Sequence, residues 1–420
     1  MSNKFAYAHR TYDAKDIYGQ YAADWEKRVD VQALVEKRCE RARKMMKEHG
    51  LGALLLFRHE WIRYVTGLWP GMHQTGEKLF RYCLLAGDNP PIMFETPGID
   101  LECQKLASRL VTDFRPAMVW RSSGPATEAQ AKKFAQGVKD ALKEAGVAGE
   151  TLGVDMMDFF GFQSLKDAGL RLADAQIPVQ AASKIKFAEE IELIKQACAI
   201  QDAAFYVAEQ AIRPGLREQE LKGLIIAELY RLGAERVEQI TMASGGRTNP
   251  FYRNSASDKM IRYGDIVLID ICYQFMGYNT CYYRNFVCGG KPTKRQKELH
   301  KITYDSLYAA IDRVKPGVST ARIVEPWKKE GYSDTEHGSV SLLQFGHGVG
   351  ICNHETPFCT LGYSEQYPDT IEQNMVMSFE TIAGEPGESE MARLEEQLVV
   401  TPTGHEILSL YPFPDYLMDR

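Results

Sequence analysis

The sequence predicts an α+β protein of two domains, and three observations support this fold class. With 420 residues, the chain is longer than a single hydrophobic core usually grows. Between residues 28 and 180, amphipathic helices alternate with short apolar strands, which is the pattern of an α/β domain. From residue 238 onward, strands separated by glycine-rich turns dominate, around one long helical stretch at Lys294–Val314. We therefore expect an N-terminal arm at 1–27, a smaller α/β domain at 28–180 and a second domain at 181–420.

Local patterns predict the order of the elements. An apolar stripe predicts the first helix, and Gly50 stands where its C-terminal cap belongs; the stripe consists of Val31, Leu34, Val35, Cys39, Ala42 and Met46. Apolar strands are predicted at 53–57 and 81–86. A hinge at 177–183 is expected to lead into a long helix, one face of which carries Ile191, Ile194, Cys198 and Gln201.

Charge and composition restrict the partners of the chain. The formal net charge of -6 at pH 7 is mild and argues against a nucleic-acid partner. No apolar run approaches membrane-spanning length, and the N-terminus lacks the basic-then-apolar pattern of a signal peptide. The nine cysteines form no Cys-x-x-Cys pair and suit free thiols. We expect a cytoplasmic protein with no membrane partner.

One predicted hairpin carries groups that can bind a cation. The segment Gly264–Phe286 reads as a strand, a turn around 276–277 and a returning strand. Because side chains alternate along a strand, Asp270 and Cys272 share one face of the outgoing strand. On the returning strand, one face carries Cys281, Tyr283 and Asn285. An acid and a second ligand across a hairpin can converge on one ion.

Three later segments complete the pattern. His347 and His354 stand seven apart in GHGVGICNHETP, where glycines let the backbone approach a ligand closely. Glu380 lies in an otherwise apolar strand, and Glu395 follows Arg393 by two residues, on the same strand face. A carboxylate within an apolar strand is costly to bury unless it is paired or bound to metal. These residues therefore make a plausible oxygen and nitrogen site for iron, manganese or zinc.

The order and spacing of these segments resemble the pita-bread family of creatinase, prolidase and methionine aminopeptidase. The stretch IKFAEEIELIKQA and the RYVTG segment at 63–67 are similar to its larger two-domain members. The resemblance implies a pita-bread C-terminal domain after a creatinase-type α/β N-terminal domain, a homodimer and a small-molecule substrate. It further implies that Asp270, His347, Glu380 and Glu395 bind a divalent metal ion, and that His354 is the catalytic histidine that faces the substrate.

The sequence departs from the peptidases of this family at three positions. The second bridging aspartate of the family falls on Cys281. The stretch SGGRTNPFYRNS lacks the histidine that prolidase-type peptidases carry before the hairpin, and Leu343 replaces another histidine. Without the bridging carboxylate, repulsion between two cations is less compensated. These departures favour a single ion and disfavour peptide hydrolysis.

Other features resemble the dimethylsulfoniopropionate lyase branch of the family. These are RTNPFY at Arg247–Tyr252, the run from TIAGEPGES to RLEEQLVVT, and the terminal LSLYPFP. That branch has a catalytic aspartate where this chain has Asn353, and it keeps the hairpin acid that is Cys281 here. The activity of that branch is therefore not carried over unchanged.

Each candidate residue also has a structural alternative. Asp270 would cap the hairpin turn, His347 would be a core histidine, and Glu380 or Glu395 would pair with Arg393. Cys281 is a filler, a thiolate ligand joined by Cys272, or a nucleophile, which makes it a candidate catalytic residue beside His354. The residues predicted to contact substrate are Tyr252, Tyr283, Arg393 and Asn353.

Aromatic residues are dense near the predicted site, and most are expected to pack within strands. Some of them are also candidates for a cage around a quaternary ammonium or sulfonium group. The set comprises Phe251, Tyr252, Tyr273, Phe275, Tyr278, Tyr282 and Tyr283, with Trp61, Trp69 and Tyr82 across a dimer interface.

Three functions follow. The first is a hydrolase or lyase that acts on a small zwitterion with a single metal ion and His354 as the proton-transfer group. The second is an Xaa-Pro dipeptidase in which Cys281 replaces the acid. The third is a metal-free, creatinase-like amidinohydrolase or an inactive binding module.

Overall fold

The computed structural model describes residues 29–68, 81–98, 110–121, 123–249, 255–329, 345–385 and 387–418. The predicted arm at 1–27 lies outside these residues. The chain divides into two compact units, residues 1–175 and residues 176–420.

The first unit combines helices with one six-stranded sheet. Its helices are α1 (Val31–Glu48), α2 (His59–Thr66), α3 (Thr127–Glu144) and α4 (Phe159–Asp167). Its strands are β1 (Ala53–Leu56), β2 (Tyr82–Ala86), β3 (Ile92–Glu95), β4 (Asp113–Pro116), β5 (Leu152–Val154) and β6 (Leu172–Asp174). The strand order is β4-β3-β2-β1-β5-β6, with β1 antiparallel to β2 and parallel to β5. This mixed arrangement confirms an α/β unit.

The first helix forms as its sequence predicts. The side chain of Asp30 accepts a hydrogen bond from the backbone N–H of Ala33 at 3.0 Å and caps the start of α1. After the helix ends, Gly50 adopts φ 69°, a left-handed conformation that glycine reaches without steric cost. The apolar stripe is buried, including Leu34, Cys39 and Met46.

The second unit contains the predicted hairpin and the later strands. Its helices are α5 (Gln176–Lys184), α6 (Ala188–Ala211), α7 (Glu218–Arg231), α8 (Lys294–Ile311), α9 (Thr320–Lys329) and α10 (Asp415–Met418). Its strands are β7 (Arg236–Ser244), β8 (Ile266–Phe275), β9 (Tyr278–Val287), β10 (Gly346–Gly348), β11 (Glu355–Cys359), β12 (Val376–Ala383), β13 (Ala392–Val400) and β14 (His405–Ile407). They form a sheet of order β7-β8-β9 and a sheet of order β11-β10-β12-β13-β14.

Two predictions about this unit have different outcomes. The hairpin is confirmed, because β8 and β9 pair antiparallel around a turn at Met276 and Gly277, both with positive φ. The hinge at 177–183 is wrong, because these residues lie within α5. The apolar residues Val179 and Ala182 are buried there, so tertiary packing stabilises a helix where local sequence suggested a linker.

Two further observations concern the whole described chain. The cysteines within the described residues are free thiols, and all of them are buried. Within the same residues, no helix combines the length and the apolar composition needed to cross a bilayer.

A buried ion pair in the second unit anchors the segment that carries His354. The Nζ of Lys186 lies 2.8 Å from Oε2 of Glu355, and both side chains are buried. The other oxygen of Glu355 accepts a hydrogen bond from the backbone N–H of Cys352 at 2.8 Å. The Glu355 carboxylate therefore joins the backbone of Cys352 to Lys186 and fixes the short segment between Cys352 and Glu355.

We expect Lys186→Met to lower the free energy of unfolding by roughly 3–5 kcal/mol, because it leaves the Glu355 carboxylate buried without its cation. Lys184→Met is the matched control, since Lys184 pairs at 2.6 Å with the partly exposed Asp369 and an exposed pair contributes about 0–1 kcal/mol. Urea unfolding of both variants measures the difference. Equal losses would contradict the anchoring role.

Candidate metal centre

The hairpin brings one acid and two thiols together. In the β8–β9 register, Cys272 stands opposite Cys281, and their sulfur atoms are 3.3 Å apart. The Sγ of Cys272 lies 3.6 Å and 3.5 Å from the two carboxylate oxygens of Asp270. All three side chains are buried. Alternation along the strand, which the sequence predicted, places Asp270 and Cys272 on the same face.

The larger sheet contributes the imidazole and two more carboxylates. Glu380 on β12 stands opposite Glu395 on β13, and His347 on β10 stands opposite Ser378 on β12. The Nε2 of His347 lies 3.7 Å from Oε1 of Glu395. Both side chains are completely buried.

Hydrogen bonds at Cys281 join the two sheets. Its backbone N–H donates to Oε1 of Gln397 at 3.1 Å, and its carbonyl accepts from the hydroxyl of Ser378 at 2.7 Å. These bonds fix the Cys281 thiol beside His347 and Glu395. Consequently, ligand atoms of Cys281, His347 and Glu395 lie within 4.8 Å of one another, as do those of the hairpin group.

Cys281 therefore belongs to two groups of donors. The first group contains Asp270, Cys272 and Cys281, and the second contains Cys281, His347 and Glu395. Three of the four residues predicted to bind metal thus lie around one shared sulfur atom. Asp270 lies in one group, and His347 and Glu395 lie in the other. Their joint role as ligands of one ion stays a prediction.

Glu380 has a different surrounding from the other predicted ligands. Its carboxylate forms a buried ion pair with the guanidinium of Arg393. That guanidinium also lies over the ring of Tyr283, 4.2 Å from its centroid. The pairing with Arg393 was one of the structural alternatives for Glu380, and its role as a metal ligand stays a prediction. Tyr283 and Arg393 contact each other at the wall of the centre.

The electrostatics of the centre indicate an excess of buried negative charge. Burial, followed by the charge of Glu395, raises the pKa of Asp270 well above its usual range. Burial, followed by the charge of Glu380, does the same to the pKa of Glu395. Arg393 opposes both shifts without cancelling them. Additional positive charge at this point would stabilise the ionised acids.

The hydrogen bonding of the buried donors agrees with this. Within the described residues, the Glu395 carboxylate is bonded by the Cys281 thiol and by no nitrogen or oxygen donor, and Nε2 of His347 has no hydrogen-bond partner. The Nδ1 of His347 lies 3.0 Å from the carbonyl of Gly348, which can only accept, so Nδ1 carries the proton. Burial lowers the pKa of His347, which keeps the ring neutral. The lone pair of Nε2 is then available to a metal ion, and these residues fit a divalent cation.

His354 and Asn353 lie at the edge of the centre. The rings of His347 and His354 are 4.4 Å apart between centroids, and His354 is exposed. Burial of part of the ring, followed by the neighbouring His347, lowers the pKa of His354 to about 4. The side chain of Asn353 contacts the thiol of Cys272. Both positions suit contact with a substrate, and their roles stay predictions.

The described tyrosines of the hairpin that point toward α6 pack within the fold, as most of these aromatic residues were expected to do, and they are not available for a cage. The hydroxyl of Tyr273 donates to the carbonyl of Ala197, that of Tyr282 contacts Asp202, and that of Tyr278 bonds to Glu190. Trp61 and Tyr82 are also wrong candidates, because both are buried in the core of the first unit. Phe251, Tyr252 and Trp69 lie outside the described residues, so the prediction that Tyr252 contacts substrate is not tested.

Some contributing residues did not follow from the sequence pattern. Cys272 was expected only as a companion of Cys281, although its spacing of two from Asp270 places it on the same strand face. Gln397 and Ser378 were not anticipated. Gln397 follows Glu395 by two, so the alternation that marks Glu395 also marks Gln397 as facing the centre.

Comparison with known proteins agrees with this fold. Residues 192–402 match the model of metallopeptidase family M24, and residues 38–182 match the creatinase/prolidase N-terminal domain. The chain belongs to metallopeptidase family M24. It therefore has a creatinase-type N-terminal domain and a pita-bread C-terminal domain, as the resemblance predicted.

Two curated relatives with different activities resemble almost the whole chain. The Xaa-Pro dipeptidase of Pyrococcus furiosus is 26% identical over 379 residues, which cover 89% of this chain and 98% of that protein. The dimethylsulfoniopropionate lyase of Roseovarius nubinhibens is 24% identical over 428 aligned positions, which cover 96% of this chain and 92% of that protein. Among solved structures, the prolidase from Pyrococcus horikoshii OT3 matches with a TM-score of 0.72. That match covers 90% of this chain and 99% of the other at 24% identity, and it shows the fold alone.

Glu395 and Glu396 provide a test of the buried negative charge, because they are adjacent in sequence but lie in different electrostatic surroundings. Glu396 is stabilised by Arg284 at 2.9 Å and by the hydroxyl of Tyr308 at 2.9 Å. In metal-free protein, we expect Glu395→Gln to raise the free energy of unfolding and Glu396→Gln to lower it by roughly 3–5 kcal/mol.

The raised pKa of Glu395 fixes the pH dependence of this difference. A carboxyl with a raised pKa binds an extra proton in the folded state, so its contribution to stability falls as pH rises above the unfolded value of about 4.3. The advantage of Glu395→Gln should therefore increase from about pH 5 to about pH 8. Urea unfolding with a chelator measures it, and a destabilising Glu395→Gln at neutral pH would contradict the excess of negative charge.

Proposed function

We propose that this chain is a metal-dependent hydrolase or lyase that acts on a small zwitterion rather than on a peptide. The observation that supports the proposal best is the position of Cys281, whose sulfur atom belongs to both donor groups. The resemblance to peptidases places a bridging aspartate there. A cysteine offers one sulfur atom, whereas a carboxylate offers two oxygens that can each bind one of two cations, so a hydroxide held between two ions is less well supported.

The residues that would hold the ion are Asp270, His347 and Glu395 with Cys281, while Glu380 would orient Arg393 beside them. A bound divalent ion supplies Lewis-acid polarisation of a substrate carboxylate or carbonyl oxygen. The protein supplies a dry wall on one side, since the four side chains are buried. Exclusion of water strengthens each electrostatic interaction with the substrate.

His354 would transfer the proton. Its pKa of about 4 leaves the imidazole neutral at neutral pH, so one ring nitrogen can accept a proton from a water or from a substrate carbon next to a carboxylate. Its exposure places it on the solvent side of the centre, where a substrate enters. Proton abstraction followed by elimination would make the chain a lyase, and activation of water would make it a hydrolase.

The zwitterionic substrate is supported by the lyase relative, whose name specifies dimethylsulfoniopropionate, a sulfonium carboxylate. Recognition of such a cation by aromatic rings stays a prediction for Phe251 and Tyr252. A homodimer and a cytoplasmic location stay predictions as well.

An Xaa-Pro dipeptidase is the second candidate, and a specific observation favours it. The dipeptidase of Pyrococcus furiosus resembles this chain over 89% of its length, with 26% identity. Under this alternative, Cys281 replaces an acid without loss of peptide hydrolysis. A metal-free, creatinase-like amidinohydrolase or an inactive binding module is the third candidate, which elemental analysis distinguishes.

A substrate screen with metal analysis tests the proposal. The full chain, loaded in turn with iron, manganese, zinc and cobalt, is incubated with dimethylsulfoniopropionate, glycine betaine and Xaa-Pro dipeptides. We expect turnover of a zwitterion and inert dipeptides, because the centre lacks the bridging acid. Cys281→Asp is the matched variant, and it should gain metal content and dipeptide cleavage. Cleavage of dipeptides alone by the unmodified chain would support the second candidate instead.

His354→Gln should lower kcat by about 10²–10⁴-fold with metal content unchanged, because it removes the proton-transfer group and no ligand. Since the pKa of His354 is about 4, the acid limb of the kcat/KM profile should lie near that pH and disappear in the variant. Steady-state kinetics between about pH 4 and about pH 8 measure both effects. A variant with normal kcat would exclude His354 from the reaction.

A further inference from the structure

The two cysteines of the centre have a geometry that a packing role does not require. Their sulfur atoms are 3.3 Å apart on directly opposed strand positions, and the Asp270 oxygens are 3.5 Å and 3.6 Å from the Cys272 sulfur. The Cys272 thiol donates to the Asp270 carboxylate, and a metal ion could replace that proton between the same atoms. We propose that Cys272 and Cys281 bind the metal ion as thiolates, so that the centre selects zinc over manganese.

The sulfur–oxygen distances match the corresponding edge of a tetrahedral zinc site. With Zn–S bonds of ~2.3 Å and Zn–O bonds of ~2.0–2.2 Å, the sulfur–sulfur edge of a tetrahedron is ~3.8 Å and the sulfur–oxygen edge is ~3.6 Å. The sulfur–oxygen distances in the hairpin agree with that edge, and the sulfur–sulfur distance is somewhat shorter. Moving the two sulfur atoms slightly apart would complete the tetrahedral arrangement.

The fourth donor comes from the larger sheet. Glu395 and His347 each lie within 4.8 Å of the Cys281 sulfur, and their ligand atoms lack hydrogen bonds to nitrogen or oxygen within the described residues. The Glu380 carboxylate is taken by Arg393. The available set is therefore two sulfurs with oxygen or nitrogen, which suits zinc, whereas manganese prefers oxygen ligands.

The backbone of Cys281 holds its thiol in place. The carbonyl and N–H of this residue are both bonded to side chains of the larger sheet, Ser378 and Gln397. The opposite residue, Cys272, is fixed by the β8–β9 ladder. A site whose ligands are already positioned loses little conformational entropy on binding an ion. This inference shares the metal centre with the proposed function but does not depend on the proposed substrate.

Cobalt spectroscopy of the full chain tests the proposal without any activity measurement. Metal-free protein, kept reduced so that no disulfide forms, is titrated with Co²⁺. We expect a thiolate-to-cobalt charge-transfer band in the near ultraviolet, intense visible bands of tetrahedral cobalt, and displacement by Zn²⁺ but not by Mn²⁺. Cys272→Ser and Cys281→Ser should each remove roughly half of the charge-transfer intensity, and the double variant all of it. Cys198→Ser is the matched control, a buried free cysteine on α6, and should leave the band unchanged.

X-ray absorption of the zinc-loaded unmodified chain tests the proposal without any variant, so it does not depend on whether the variants fold. Sulfur scatterers at about 2.3 Å from zinc would support the proposal. Bound cobalt without a charge-transfer band, a band that survives in the folded double variant, or a zinc shell of nitrogen and oxygen alone would overturn it. Failure of the substrate screen leaves all these signals unaffected, so the two proposals fail separately.

Discussion

Burial of negative charge is the constraint on which the rest of the second unit depends. Asp270 and Glu395 are buried where Arg393 is already engaged by Glu380. A protein interior tolerates such acids if they stay protonated or if a cation joins them. The Nε2 of the neutral His347 imidazole lies 3.7 Å from Oε1 of Glu395, so a proton or a cation between them would stabilise both groups. Fold and chemistry are therefore linked, because the sheets bring these groups together and either a proton or a cation must compensate the charge of the acids.

The two sheets contribute different groups to the centre. The hairpin supplies an acid with two thiols, while the larger sheet supplies an imidazole with two acids. Cys281 is the point where they meet, through its sulfur and through its backbone. Sulfur at this point is a softer donor than the carboxylate oxygen that the resemblance to the peptidases places there. The family fold is kept, and the chemistry available to it changes.

Sequence patterns predicted most of this arrangement, and the misses have physical causes. Alternation along β8, β9 and β13 predicted which side chains share a strand face with Asp270, Cys281 and Glu395, although both faces of these strands are almost entirely buried. The segment at 177–183 was misjudged as a hinge, since burial of Val179 and Ala182 is a tertiary effect that local sequence does not carry. The pairing of Glu380 with Arg393 was anticipated only as one of two options, because strand spacing gives the face and not the partner.

Because His354 and Glu355 are adjacent in sequence, the packing of Glu355 affects how such a centre can evolve. His354 faces solvent, whereas Glu355 is buried against Lys186, which directly precedes the start of α6 and donates its backbone N–H to Asn374 at 2.9 Å. The position of the imidazole is thus tied to the beginning of a helix on another part of the unit. Under the proposed function, substitutions at that junction would change the distance between the imidazole and the ion without changing the proposed ligands, which offers a route to new substrates.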